Sequence, residues 1–356
     1  MPVAWGGLRF PNPGANIPRM VDSFAVVHAS VTFGEPFGMD HIAEQLAMHY
    51  LAGSSGAAGK AAAERSYNSD RSRDPLYNQA KMYAEIWRML GLVHPTASRL
   101  EFASTQWARA LIDDADGVPS CQWGIVRESL IGITFPNPNV HQTGVQSQRP
   151  FAWALQLIAA LDGWITRDEL IIGLLAVTDD QRPRILNDTV ASIRAHRAGD
   201  TASGAVEALA GAAAVQVNTL RNYTRFPLGV LRDPTIGWGA RETATTPYKE
   251  KDTITRLLPR GRSTAARLAD MTDLRGAELA DLPEADVAAV ALFTHYLGLE
   301  RAGFSSPELA AALAEAGCHA GPALASLGVS EPNNLLLGPW QQLDRATLNA
   351  ASALVA

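Results

Sequence analysis

The sequence predicts a mainly α-helical protein with small β-ribbons. Three observations carry that prediction. Apolar residues recur at steps of three and four in most segments, the signature of amphipathic helices. Short apolar stretches follow polar, arginine-bearing helices at two places, where a ribbon fits. A stretch at 135–148, rich in Pro, Asn and Gln, separates two halves that share this arrangement. Helix, helix, polar helix, ribbon is the order of a winged helix. The expected architecture is therefore tandem winged-helix domains plus a helical C-terminal segment. Its parts are a lead-in at 1–18, a first unit at 19–134, a linker at 135–148, a second unit at 149–270 and an acidic helical segment at 271–356.

The lead-in is rich in Pro, Gly and Asn and reads as irregular. Met20, Phe24, Val27 and Val31 predict an amphipathic helix, which Pro36 ends. Asp40 is the expected cap of a second helix. A glycine-rich loop, Gly53 to Lys60, and a polar approach, Arg65 to Asp74, lead to Pro75, which suits a first helical turn. The helix that follows runs to Leu90 and stops at Gly91. Leu92-Val93-His94 and 99–102 are candidate strands. In the second half, 151–161 is apolar and helical. Thr166-Arg-Asp-Glu169 is a capping box, threonine at the cap and glutamate three residues on. Helices follow at 167–175, 180–197 and 202–213.

The 356 residues, 47% of them hydrophobic, suffice for two or three domains with real cores. Cys121 and Cys318 are too few for a disulfide framework, and the first ten residues lack a secretory pattern, so a cytoplasmic location is expected. The longest apolar run is too short to span a bilayer, which predicts no membrane partner. The histidines show no metal-ligand spacing, and no metal site is expected. Net charge is −6. Its distribution matters more than its sum. Ten cations face four anions between residues 215 and 267, a local net charge of +6, and an acidic tail of −8 follows. Such a basic zone is an electrostatic footprint that total charge hides.

The zone opens on a stretch, 215–227, dense in amide and guanidinium groups. Gln216, Asn218, Arg221, Asn222 and Arg225 can make directional hydrogen bonds to base edges and phosphates. Asn218, Arg221, Asn222 and Arg225 fall at helical steps and are expected on one face, with Tyr223 placed to stack. The ribbon after it, with a turn at Pro259-Arg260-Gly261, is expected to act as a wing. Lys249, Lys251, Arg256, Arg260 and Arg262 would there anchor the DNA backbone. In the first unit the matching candidates are Arg71, Arg73, Asn78, Gln79 and Lys81.

Arg149-Pro150-Phe151, the run Leu161-Asp-Gly-Trp-Ile-Thr-Arg-Asp-Glu-Leu170 and Asn222-Tyr-Thr-Arg-Phe226 together resemble the recognition region of type II restriction endonucleases, in particular AlwI-type, type IIS and nicking enzymes. The similarity covers about 149–268 and is one of pattern. It implies tandem winged-helix units that read double-stranded DNA, a role in restriction–modification and phage defence, and a separate nuclease domain or subunit using Mg²⁺. The chain departs from complete enzymes where cleavage would occur. Their motif needs a carboxylate two residues before a lysine. Here Ala58, Gln79, Pro247 and Lys249 precede the four lysines at that distance, so no catalytic residue is assigned.

Simpler explanations compete with each sharp one. Ser54 to Lys60 lacks the glycine and hydroxyl of a phosphate-binding loop and reads as a connection. Asp168-Glu169 and Asp179-Asp180 are explained by helix starts. A winged-helix transcription regulator, and a non-DNA scaffold in which the basic zone docks the acidic tail, are the alternative functions.

Overall fold

A computed structural model of the chain describes residues 5–11, 16–49, 74–96, 100–104, 108, 111–112, 119–133, 135, 148–180, 183–199, 201–269, 272–274 and 335–337. It is mostly helical with small sheets. No helix among the described residues is long and apolar enough to cross a membrane. The chain divides into two compact units. The N-proximal unit comprises 21–133 with 270–356, and the central unit comprises 1–20 with 134–269.

The N-proximal unit begins in α1 (Ile17–Ala29), whose Phe24 and Val27 are fully buried. Strand β1 (Phe37–Gly38) leads into α2 (Met39–Met48). The helix cap is Gly38, in extended backbone, and not Asp40, which lies in the first turn where its charge suits the helix dipole. Helix α3 (Pro75–Met89) starts as expected. The Asp74 carboxylate accepts from the amides of Leu76 (2.8 Å) and Tyr77 (3.3 Å), and Pro75 takes the position whose N–H needs no partner. Leu76, Ala80, Tyr83, Ala84 and Trp87 form its buried face. Gly91, at φ 75°, turns the chain out of the helix. Strands β2 (Val93–Pro95) and β3 (Glu101–Ser104) pair antiparallel, and β1 joins the other edge of β3, with Phe37 opposite Phe102. The order is β1-β3-β2. Trp87 and Phe24, 5.3 Å apart, centre the core. Helix α4 (Pro119–Gly132) completes the unit's helices among the described residues before 134.

In the central unit, the lead-in has no regular structure, yet it is core. Phe10 lies 5.8 Å from Phe151 and 5.9 Å from Phe226. The Gly6 amide donates to the Leu175 carbonyl at 3.0 Å, and a Cβ at Gly6 would stand 2.5 Å from the Val177 oxygen. The expected linker is pinned at its ends. Phe135 and Gln148 exchange backbone hydrogen bonds of 2.7 and 2.8 Å, so these two residues lie side by side.

Helix α5 (Pro150–Ala160) is buried around most of its circumference. Asp162 and Gly163 then take left-handed backbone, a turn that glycine and aspartate tolerate best. Strand β4 (Trp164–Thr166) enters α6 (Arg167–Leu170) through the predicted capping box, with both reciprocal hydrogen bonds formed. The helix widens into a π-helical segment (Ile171–Leu175). There the Trp153 indole takes the Gly173 carbonyl at 2.7 Å and the Gln148 amide takes that of Leu174 at 3.1 Å, so side chains enter the helical ladder. Helices α7 (Pro183–Gly199) and α8 (Ala202–Ala212) follow. Asp180, the expected start of α7, lies three residues before it. Its carboxylate accepts from the Arg149 amide (2.6 Å) at the head of α5.

The expected single helix over 215–227 is two, α9 (Val217–Tyr223) and α10 (Arg225–Arg232). Pro227 explains the break. It has no N–H for the Tyr223 carbonyl four residues back, and its ring crowds that carbonyl. Strands β5 (Gly239–Ala244) and β6 (Asp252–Leu257) form a hairpin, with β4 on the far edge of β6, in the order β4-β6-β5. The expected wing turn at Pro259-Arg260-Gly261 is instead the first turn of α11 (Pro259–Ala269), proline again taking the start position.

The expected helices of the acidic C-terminal segment lie outside the described residues, as do Gly53 to Lys60 and Arg65 to Arg73. Of that segment the structure describes β7 (Thr272–Leu274) and β8 (Leu335–Leu337), paired in parallel.

Candidate nucleic-acid interface

The candidate residues fall into three groups. Gln216, Asn218, Asn222 and Arg225 are exposed. Asn218 and Asn222, one turn apart on α9, keep the shared face expected of them. Arg225 leaves it, and Arg221, on the same helix, is engaged by another side chain. Arg225 starts α10 beyond the break at Thr224. Arg221 is half-buried, its guanidinium 3.5 Å from the Asp168 carboxylate. Tyr223 stacks at 6.1 Å on Trp5 of the lead-in, which accounts for one of its faces.

The second group is the hairpin. Lys249 and Lys251 are exposed on the seven-residue β5–β6 connection. That connection is tied down from within. The Thr246 hydroxyl accepts from the amides of Tyr248 and Lys249, both at 3.2 Å, and donates to Asp252 at 3.1 Å. Tyr248 reaches further, its hydroxyl donating to Glu169 at 3.0 Å. Arg256 on β6 meets Glu242 on β5 at 2.6 Å, so part of its charge is already answered. Arg260 and Arg262 sit on α11, where the Arg262 guanidinium donates to the Leu257 carbonyl (3.2 Å).

Third, in the N-proximal unit, Asn78 and Gln79 are half-buried on α3 and Lys81 is exposed, its ammonium 4.8 Å over the Tyr77 ring. Arg71 and Arg73 lie outside the described residues.

The structure adds groups that the sequence expectation omitted. A cleft of about 770 Å³ opens between the start of α6, α10 and the hairpin. Arg167, Arg232, Arg241 and Tyr248 line it beside Arg221 and Lys249. Arg167 reaches across to the Arg221 carbonyl and to the Thr224 hydroxyl (3.3 Å). Arg232 is anchored on the buried Thr255 hydroxyl at 2.8 Å. Burial, then the charges of Arg241 and Arg167, push the Arg232 guanidinium down to about 10. Arg167 is lowered too, by burial first and by Arg225 and Arg221 after it, while Asp168 opposes the shift. Arg232 and Arg241 were legible as members of the basic zone. Arg167 was hidden inside the capping box. Its signal was there: a cation in the first turn of a helix opposes the helix dipole.

Beneath the cleft, Glu169 is fully buried and fully occupied. Arg197 holds it at 2.7 and 3.2 Å, and Thr166 and Tyr248 complete its partners. Asp168 and Glu169 thus both have structural work, at the helix start that the sequence assigned to them. Among the described residues no group of acidic, histidine and cysteine side chains is arranged to hold a metal ion. No protein-family model matches the chain, and no curated protein matches it.

Proposed function

We propose that the chain binds double-stranded DNA through two winged-helix modules and serves as the sequence-reading part of a type II restriction endonuclease. One observation carries the DNA-binding proposal. In each unit a strand that follows the first helix pairs with the last strand of a later hairpin, β1-β3-β2 in one and β4-β6-β5 in the other, with α2 and α3 between them among the described residues of the first and the five helices α6 to α10 between them in the second. In a winged helix the helix before the hairpin enters the major groove and the hairpin lies along the backbone. Here that helix is α3 in one unit and the α9–α10 pair in the other. The exposed amides of Asn218 and Asn222, the lysines of the β5–β6 connection and the local charge of +6 support that use. The restriction role rests on the sequence resemblance and assigns cleavage, with its Mg²⁺, to a separate nuclease domain or subunit.

The test is duplex binding over a salt series. About six phosphate contacts give a slope of log affinity on log salt near −5. Absence of duplex binding at low salt overturns the proposal and leaves the acidic tail as the natural partner of the basic zone. The lack of any acidic-x-Lys triplet predicts that the purified chain with Mg²⁺ does not cut DNA. Rapid Mg²⁺-dependent cutting by this polypeptide alone would move its carboxylates back into contention.

A further inference from the structure

We propose that the cleft between α6, α10 and the β5–β6 hairpin is a binding site for a phosphate group, held chiefly by Arg167, Arg232 and Arg241. This set is separate from the Asn218–Asn222 face, and the inference stands whether or not that face reads bases.

Unmatched charge in a concave place is the first ground. Five cations line the cleft against two carboxylates, Asp168 and Asp252. Both carboxylates have partners: Arg221 meets Asp168, and Asp252 accepts from the Thr246 hydroxyl and the Thr253 amide. Arg232 is half-buried and fixed on Thr255, and its guanidinium is lowered first by burial and then by the charges of Arg241 and Arg167. Holding like charges together in a partly desolvated site costs free energy that an oxyanion would return. Guanidinium groups suit that role because their planar forks meet several acceptor oxygens at once.

The second ground is an internal control. The N-proximal unit places Arg88 at the same point of its own fold, in the last turn of the helix before the hairpin and against the central strand. The Arg88 guanidinium lies 5.4 Å over Phe102 of β3, as Arg232 lies on Thr255 of β6. Yet Arg88 is accompanied by Glu85, whose charge acts in its favour. The start of α2 offers Met39 where α6 offers Arg167. The shared topology does not require three clustered arginines, so their presence in the central unit is a property of that site.

Two sources carry this chemistry: the backbone of a duplex and a free phosphate-bearing ligand such as a nucleotide, for which a cleft of about 770 Å³ has room. The probe is inorganic pyrophosphate, added to the full chain at constant ionic strength with chloride as the control. The readouts are the thermal midpoint and displacement of a labelled duplex. Pyrophosphate should raise the midpoint by several degrees where chloride does not. Arg241→Glu, on an exposed strand position, should lose the shift at least tenfold in concentration. Arg241→Gln serves if the reversal unfolds the chain. Displacement of duplex by pyrophosphate, with Arg241→Glu weakening both ligands, assigns the site to the DNA backbone. A pyrophosphate shift that Arg241→Glu abolishes without changing duplex affinity assigns it to a free ligand. The same shift in a chain that binds no duplex keeps the site and sinks the DNA proposal alone. No shift beyond chloride, or an equal shift in wild type and both Arg241 variants, overturns the site.

Discussion

Tyr248, in the β5–β6 connection, donates its hydroxyl to the buried carboxylate of Glu169 at the head of α6, 3.0 Å away. The bond ties the hairpin to the helical body and sets Lys249 on the wall of the basic cleft. A hydrogen bond to a charged group contributes about 1.5–3 kcal/mol. Tyr248→Phe should therefore cost about that much in urea unfolding and weaken duplex binding through the loosened hairpin. Unchanged stability and unchanged protease sensitivity of 245–251 would show that the bond does not hold the connection.

Among the described residues Arg197 is the basic partner of Glu169, and it also covers the Trp164 ring at 3.6 Å. Arg197→Met keeps much of the packing and strands a buried carboxylate. Breaking one side of such a pair costs about 3–5 kcal/mol. Equilibrium denaturation at neutral pH should show that loss. A cost under about 1 kcal/mol would mean that Thr166 and Tyr248 satisfy Glu169 without it.

Phe10 tests whether the lead-in belongs to the central core. Truncating a buried phenylalanine costs about 3–5 kcal/mol. Phe10→Ala should lower the stability of the central unit by that amount, read by urea unfolding with proteolysis of 148–180 as the local probe. An irregular tail that merely rests on the surface would show no such loss.

Reader and anchor should separate by salt. Asn222→Ala removes an exposed amide of α9 and should reduce preference between a selected and a scrambled duplex by about 1–3 kcal/mol. Lys251→Ala should weaken both duplexes alike and flatten the salt slope by about one unit. The reverse pattern would exchange the two roles.

Arg232 makes a pH prediction whose sign is fixed. Its folded value, about 10, lies below the ordinary arginine range, so above pH 10 the folded chain binds fewer protons there than the unfolded chain. Stability contributed at this position should therefore rise as pH climbs through about 10. Arg232→Met cannot respond. Wild type should gain on the variant between pH 9 and pH 11, with titrations common to both cancelling in the difference. A constant difference would mean that Arg232 is not perturbed in the folded state.

Local rules made much of the fold legible. The Thr166–Glu169 capping box, Pro75 at a helix start, Gly91 at a helix end and the β2–β3 pair all follow from interactions within a few residues, which a sequence states directly. The same rules, more fully applied, would have placed two further features. Pro227 implies a break after Tyr223, and Pro259 suits the first turn of α11 as well as it suits a turn.

Other features depend on partners far along the chain. Nothing local says that Phe10 fills a space between Phe151 and Phe226, that Phe135 bonds to Gln148, or that Tyr248 finds Glu169. The basic zone was visible by counting, and the exposed amides of α9 by spacing. The cleft was not, because Arg167 lies far from Arg232 and Arg241 in sequence and joins them only when β4 pairs with β6. Composition and periodicity determined the helical class, the ribbons and the location of positive charge. Tertiary structure alone decided which charges share one concave site, because that depends on long-range strand pairing and on how much water each guanidinium loses.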